Sequence, residues 1–289
     1  MIEAHSFHAV QPGKRLLIIG GVHGNEVCGP AAIRKALKPL EGGKLRLKAG
    51  SVTFIPVANP EAYRQGKRFT EHNLNRSFQR REFPKLYEEV LQNILAPYLE
   101  NCDVLLDIHS YRAGGPAFAF RGPDANRKAE EAFAAALGIH HVIYGWNEAY
   151  QASGAPIDPE LSTGTTEYAR RKGAIALTLE CGQHKDPRAV GIALKAIKGA
   201  LEHCGLIEGK TIAANKDLKR TRLKKMFYKE REGKFLHAWK HLQDVKEGAD
   251  LARMENGNIV KAPFSGRIVL PHEAAPVGQE WLYMGVDET

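Results

Sequence analysis

Apolar and polar positions along the first two thirds of the chain alternate between a strand period and a helix period. Leu16 to Ile19 is a short unbroken apolar run that reads as a buried strand, and Pro30 to Leu40 follows with helical spacing and a proline near its first turn. Val52 to Val57 reads as a second strand, Phe83 to Leu99 as a helix, and Val104 to Ile108 as another buried strand. Further on, the alanine-rich stretch Arg127 to Leu137 predicts a helix, His141 to Tyr144 and Ala174 to Glu180 predict strands, and Pro187 to His203 predicts a helix. Such alternation predicts an α/β fold with a mixed, largely parallel sheet covered by helices on both faces. Tyr150 to Thr166, rich in Gly, Pro, Ser and Thr, is predicted as a loop able to form a site wall.

The pattern changes after Gly205 to a basic connector and then short strands with many glycines and prolines. A large α/β domain over residues 1–208 and a connector with a small β domain over 209–289 are expected. VKAPFSGRIVLP, residues 260–271, resembles the second half of a lipoyl or biotinyl carrier repeat. Glu255 stands where such carriers place their modifiable lysine, so a barrel-sandwich-like β domain is expected without carrier function.

Composition narrows the function classes. The 289 residues are 43% hydrophobic, enough for a sizeable core, and no apolar run reaches bilayer length. The first ten residues lack the basic end and apolar centre of an export signal, which predicts a cytoplasmic protein with no membrane partner. Cys28, Cys102, Cys181 and Cys204 are scattered and suggest neither a disulfide frame nor a structural metal. Of the net charge of +8, six units come from Lys216 to Lys234, with nine basic and three acidic residues. With only Phe227 and Tyr228 as interleaved aromatics, that segment reads as a solvated linker or helix face before it reads as a nucleic-acid footprint.

The candidate chemistry sits where strands end. LLIIGGVHGNE runs an apolar strand into a glycine turn carrying His23 and Glu26, His109 follows the strand Val104 to Ile108, and Glu180 ends the strand Ala174 to Glu180. Ligands of open α/β sheets gather at these carboxyl ends. Two histidines and two carboxylates suffice for three ligands to a catalytic zinc and one free base. Asp107 shares the strand face of His109 and could orient it. KRFTEHNLNRSF adds Arg68, Asn75 and Arg76 in a polar stretch, and a guanidinium beside a metal can grip a carboxylate or hold charge developing on a carbonyl oxygen.

GGVHGNE, NLNRSF, DIHS and LECG, in that order, resemble the succinylglutamate desuccinylase and aspartoacylase family, relatives of the zinc carboxypeptidases. The resemblance spans about residues 16 to 205. It implies a three-layer α/β/α zinc-carboxypeptidase-like domain with Zn2+ held by His23, Glu26 and His109, and Glu180 as general base. It implies further that Arg68 contacts the scissile carbonyl oxygen, that Asn75 and Arg76 bind the substrate carboxylate, and that Arg170 matches a further substrate-binding arginine. The implied reaction is hydrolysis of a linear, non-peptide amide in a small anionic N-acyl amino acid or related carboxylate.

Two other functions are weighed against this one. A metallocarboxypeptidase acting on peptide C-termini would use the same metal site, with a mobile tyrosine for which Tyr150 and Tyr168 are the nearest positions. A module binding nucleic acid or an acidic partner would use Lys216 to Lys234. His237 and His241 stand at helical spacing as a possible second metal pair, without a third ligand nearby. The loops Gly114 to Pro123 and Tyr150 to Thr166 are the expected determinants of acyl-group choice.

Overall fold

The computed structural model describes residues 1–154, 162–209 and 217–288. Its first two hundred residues run through β1 (His5–His8), β2 (Arg15–Gly20), α1 (Cys28–Glu41), β3 (Ser51–Ile55), α2 (Pro60–Gln65), α3 (Tyr87–Glu100), β4 (Val104–Tyr111), β5 (Phe118–Phe120) and α4 (Arg127–Ala136). After these come β6 (His141–Tyr144), α5 (Trp146–Gln151), α6 (Thr165–Arg171), β7 (Ile175–Gln183) and α7 (Ala189–His203). The described residues form two compact units, the first made of 1–111, 117–142, 162–209 and 217–218, and the second of 112–116, 143–154 and 219–288.

In the first unit the strand order is β1-β3-β2-β4-β7-β5. The inner strands β3, β2, β4 and β7 are parallel, while β1 and β5 pair antiparallel at the two sides. A strand with parallel neighbours and helices above and below must be apolar on both faces, and β2 is. Leu16 and Ile18 enter a core shared with α1, α4 and α7, whereas Leu17 and Ile19 enter a second core shared with α3 and α6. Alternation along one strand thus feeds two cores, which makes the three layers.

Helix limits follow from local hydrogen bonding. The expected helix from Phe83 begins at Tyr87 instead, because Leu86 is extended and Glu89 reaches back to accept the N–H groups of Lys85 and Leu86 at 2.6 and 3.1 Å. The expected loop from Tyr150 to Thr166 is shorter at both ends, with α5 running to Gln151 and α6 starting at Thr165. Residues 155–161 of that loop lie outside the described residues. No described helix is long and apolar enough to cross a membrane.

The second unit holds β8 (Lys219–Tyr228), β9 (Gly233–Phe235), β10 (Gln243–Val245), β11 (Asp250–Met254), β12 (Ile259–Lys261), β13 (Gly266–Val269) and β14 (Glu280–Glu288). Strands β8, β14, β13 and β10 pair antiparallel in that order, and β12, β11 and β9 form a separate antiparallel sheet. Leu251, Ile268, Leu282 and Met284 fill one small core, and Trp281 stacks on Phe235 in another. Glu255 occupies the turn between β11 and β12, closed by the Met254 N–H to the Asn258 carbonyl.

The basic segment departs from the linker or helix expected of it. Residues 210–216, Lys216 included, lie outside the described residues, but Lys219–Tyr228 is a ten-residue strand with Thr221, Leu223 and Met226 buried. A bulge opposite Met284 and Gly285 breaks the two-residue alternation and hides the strand in the linear sequence. His237 and His241 are not on a helix either. His237 packs edge-on against Trp239, and the buried His241 accepts the Leu270 N–H at 3.1 Å, so a second metal pair at helical spacing is excluded.

Candidate metal centre and active site

Parallel pairing brings the carboxyl ends of β2, β4 and β7 level. Gly20 lies opposite Ile108, and His109 lies opposite Glu180. The turn after β2 then folds His23 and Glu26 back over this edge. Gly24 is needed there, since a Cβ on it would sit 2.0 Å from the Ala62 carbonyl carbon, and its N–H donates to the Arg68 carbonyl at 3.2 Å.

Three side chains converge, all of them almost fully buried. Nδ1 of His23 is 2.9 Å from Oε1 of Glu26, Nδ1 of His109 is 3.0 Å from Oε2, and the two nitrogens are 3.2 Å apart. Among the described residues this is the one group of histidine, cysteine and acidic side chains with metal-ligand proximity. Donors on a tetrahedral zinc with bonds of about 2.0–2.1 Å are about 3.3 Å apart, close to these separations. Two ring nitrogens directed at one point, with a carboxylate beside both, suit a borderline-soft divalent cation, so the residues fit the metal their pattern implies.

Each of the three side chains is held from behind. Oδ1 of Asp107 lies 2.9 Å from Nε2 of His109, and neither atom has another hydrogen-bond partner among the described residues. Oδ1 of Asn73 lies 3.1 Å from Nε2 of His23, while the Ser110 N–H and the Arg68 guanidinium donate to Glu26 at 3.0 and 3.1 Å. Such contacts fix ring orientation and basicity. Burial and the Arg68 charge push His23 down to about 3. Burial also opposes charge on His109, but Asp107 and Glu26 outweigh it and hold that imidazolium well above its usual range.

Glu180 stands apart from the three. Its Oε2 is buried without a hydrogen-bond partner among the described residues. Burial, reinforced by the Glu26 charge, pushes its carboxyl up to about 8, against the pull of His109 and Arg68. A cation nearby lowers the pKa of such a group, which makes a buried carboxylate of this kind a proton acceptor near neutrality.

The polar stretch 67–78 is fastened by Glu88, a buried α3 carboxylate that accepts the N–H groups of Thr70, Glu71 and His72 at 2.6, 3.1 and 3.1 Å, with Asn59 Nδ2 at 3.1 Å. Burial works against that charge, but these donors hold Glu88 below the usual carboxylate range. Asn75 accepts the Thr165 N–H at 2.8 Å, and Arg76 donates to the Asn75 carbonyl at 2.9 Å.

Arg170 is not brought to this cluster. Its guanidinium is buried against Glu130 at 2.7 Å and Glu167 at 2.8 Å and donates to the Ala176 carbonyl, at the opposite end of β7 from Glu180. Tyr168 is likewise occupied, donating to Glu100 at 2.5 Å, and Tyr150 lies in the second unit, 3.2 Å from the Tyr283 hydroxyl. Asn73, Glu88 and Thr165 escaped the sequence reading. The polar run HNLN was the one available signal for Asn73, whereas Glu88 and Thr165 look like ordinary helix-start residues.

The succinylglutamate desuccinylase/aspartoacylase catalytic-domain model matches residues 12–201. The chain therefore belongs to the succinylglutamate desuccinylase/aspartoacylase family. It is 27% identical over 207 residues to the N-alpha-acetyl-L-2,4-diaminobutyric acid deacetylase of Halomonas elongata, covering 68% of this chain and 56% of that protein. It is also 34% identical over 105 residues to a probable aspartoacylase of Prochlorococcus marinus, covering 35% of this chain and 34% of that one. The alignments thus take in about a third to a half of these curated relatives' length. The crystal structure of a succinylglutamate desuccinylase/aspartoacylase from Rhodobacter sphaeroides shares the fold, with a TM-score of 0.76 at 20% identity over 96% of this chain and 87% of that one.

Proposed function

We propose that the protein is a zinc-dependent deacylase hydrolysing the linear amide of an N-acyl amino acid or related small carboxylate. The observation that carries this reading is the convergence of His23, Glu26 and His109 within about 3 Å, beside the unpartnered buried carboxylate of Glu180. Family membership and the deacetylase activity in the name of the Halomonas relative support the reaction class.

His23, Glu26 and His109 would hold the ion. When bound, zinc supplies Lewis-acid polarisation and lowers the pKa of water toward neutrality. Glu180 takes the proton from the attacking water and returns it to the departing amine nitrogen, which must be protonated to leave. Arg68, with its guanidinium already on Glu26, stabilises negative charge on the carbonyl oxygen. Asn75 and Arg76 hold the substrate carboxylate, the first through its amide donors and the second through its charge. These residues all precede 208, so we assign catalysis to 1–208 and no chemical role to 209–289. A cytoplasmic setting accords with four cysteines that are all free thiols.

Metal analysis of the purified protein, followed by a panel of N-acetyl and N-succinyl amino acids beside unblocked peptides, tests the reading. Stoichiometric zinc and turnover of an N-acyl amino acid are expected. Turnover of free peptides alone would move the protein to the carboxypeptidases, and a protein with no affinity for divalent ions would sink the proposal.

A further inference from the structure

Thr165, the first residue of α6, touches two parts of the site at once. Its hydroxyl donates to Oδ2 of Asp107 at 2.5 Å, and its N–H donates to Oδ1 of Asn75 at 2.8 Å. Thr165 and Asp107 are both completely buried. The other Asp107 oxygen is the one that lies 2.9 Å from Nε2 of His109.

We infer that Thr165 is a positioning residue with two separable roles: its hydroxyl steadies the carboxylate that orients the His109 ligand, and its N–H sets the amide of Asn75. This inference rests on the zinc-deacylase reading. A threonine hydroxyl has one proton, and at 2.5 Å that proton goes to Asp107, not to Asn75 Oδ1 at 3.3 Å. Without it, a fully buried carboxylate loses a hydrogen-bond partner, and its grip on the His109 ring loosens. Asn75 is governed by the backbone instead. An N–H pointing at its side chain requires the oxygen on that side, so the NH2 group is turned the other way, as a donor suited to a carboxylate. Gly164 makes the approach possible, because a Cβ on it would lie 2.3 Å from that same oxygen.

The two roles predict opposite outcomes for adjacent residues. Zinc affinity is measured by competition with a chromophoric chelator for the wild type, Thr165→Val, Thr165→Ala, Thr165→Ser and Gly164→Ala, with circular dichroism as the folding control. Both hydroxyl deletions should weaken zinc binding about tenfold, while the serine variant stays within about twofold of the wild type. Gly164→Ala should leave zinc binding within about twofold and raise KM for an N-acyl amino acid about tenfold, the loss expected of a displaced charged-group hydrogen bond. Zinc affinity in either folded hydroxyl-deletion variant equal to wild type would overturn the inference, as would a serine variant as weak as the valine one. A wild type that binds no zinc is a different failure, that of the deacylase reading itself.

Discussion

Nδ1 of His23 and Nδ1 of His109 face each other at 3.2 Å although 86 residues separate them in the chain. Nothing in the strand geometry requires two ring nitrogens to meet in this way, whereas the cation proposed for this site would draw both to one point. His23→Ala and His109→Ala should each weaken zinc binding by more than the roughly 100-fold that loss of an outer partner costs. Zinc content after dialysis is the measurement, and unchanged content in either variant would remove that histidine from the ligand set.

Glu180→Gln keeps the shape and removes the proposed proton acceptor. Turnover should fall by about 10²- to 10⁴-fold, the usual worth of a positioned general base, with zinc content unchanged. Steady-state kinetics together with metal analysis separate this from a folding defect, and retained activity would refute the role.

Arg68 and Arg76 should part company kinetically. Arg68→Ala is expected to lower kcat by about 10²- to 10³-fold, as losing a donor to a developing oxyanion does. Arg76→Ala should act chiefly on KM, and equal effects of the two on both constants would argue against separate tasks.

Arg170→Ala should lower stability instead of substrate affinity. It leaves Glu130, which is completely buried, without its charged partner and with only backbone donors such as the Gly122 N–H, and breaking such a pair costs about 3–5 kcal/mol. Thermal unfolding should show a large drop in Tm, with KM of the folded enzyme unchanged. A raised KM with no loss of stability would restore the substrate-binding role that the family resemblance implies.

Acid should selectively erase one surface contribution. Arg80 and the Tyr168 hydroxyl hold Glu100 at about 2, below its ordinary 4.5. With the folded value below the unfolded one, the unfolded chain binds more protons between these limits, so stability rises with pH across that window. Urea unfolding of Glu100→Gln should therefore show its full deficit above about pH 5, and the deficit should shrink as pH falls toward 3. A deficit independent of pH would assign the loss to packing.

Legibility followed sequence distance. His23 and Glu26 share one turn and Asp107 and His109 share one strand face, so local spacing carried them. Thr165 and Asn75 are 90 residues apart and Glu88 and Thr70 are 18 apart, and both meetings are products of helix placement that no local period encodes. Arg170 is the first of two adjacent arginines, Arg170 and Arg171, with nothing local to tell them apart, and only the fold reveals that Glu130 occupies it. In β8 the charged residues dominated the reading, while the bulge broke the alternation that would have marked Thr221, Leu223 and Met226 as inward.

One carboxylate oxygen pair on Glu88 terminates three successive amides, Thr70 through His72. That segment cannot fray one residue at a time, because releasing any one amide leaves the charge under it short of partners in a dry environment. Its opening is therefore collective, and the three protons should exchange with solvent deuterium at a common rate. The ribbon that leads to Asn75 and Arg76 is thus pinned at its root, and its orientation is inherited from α3.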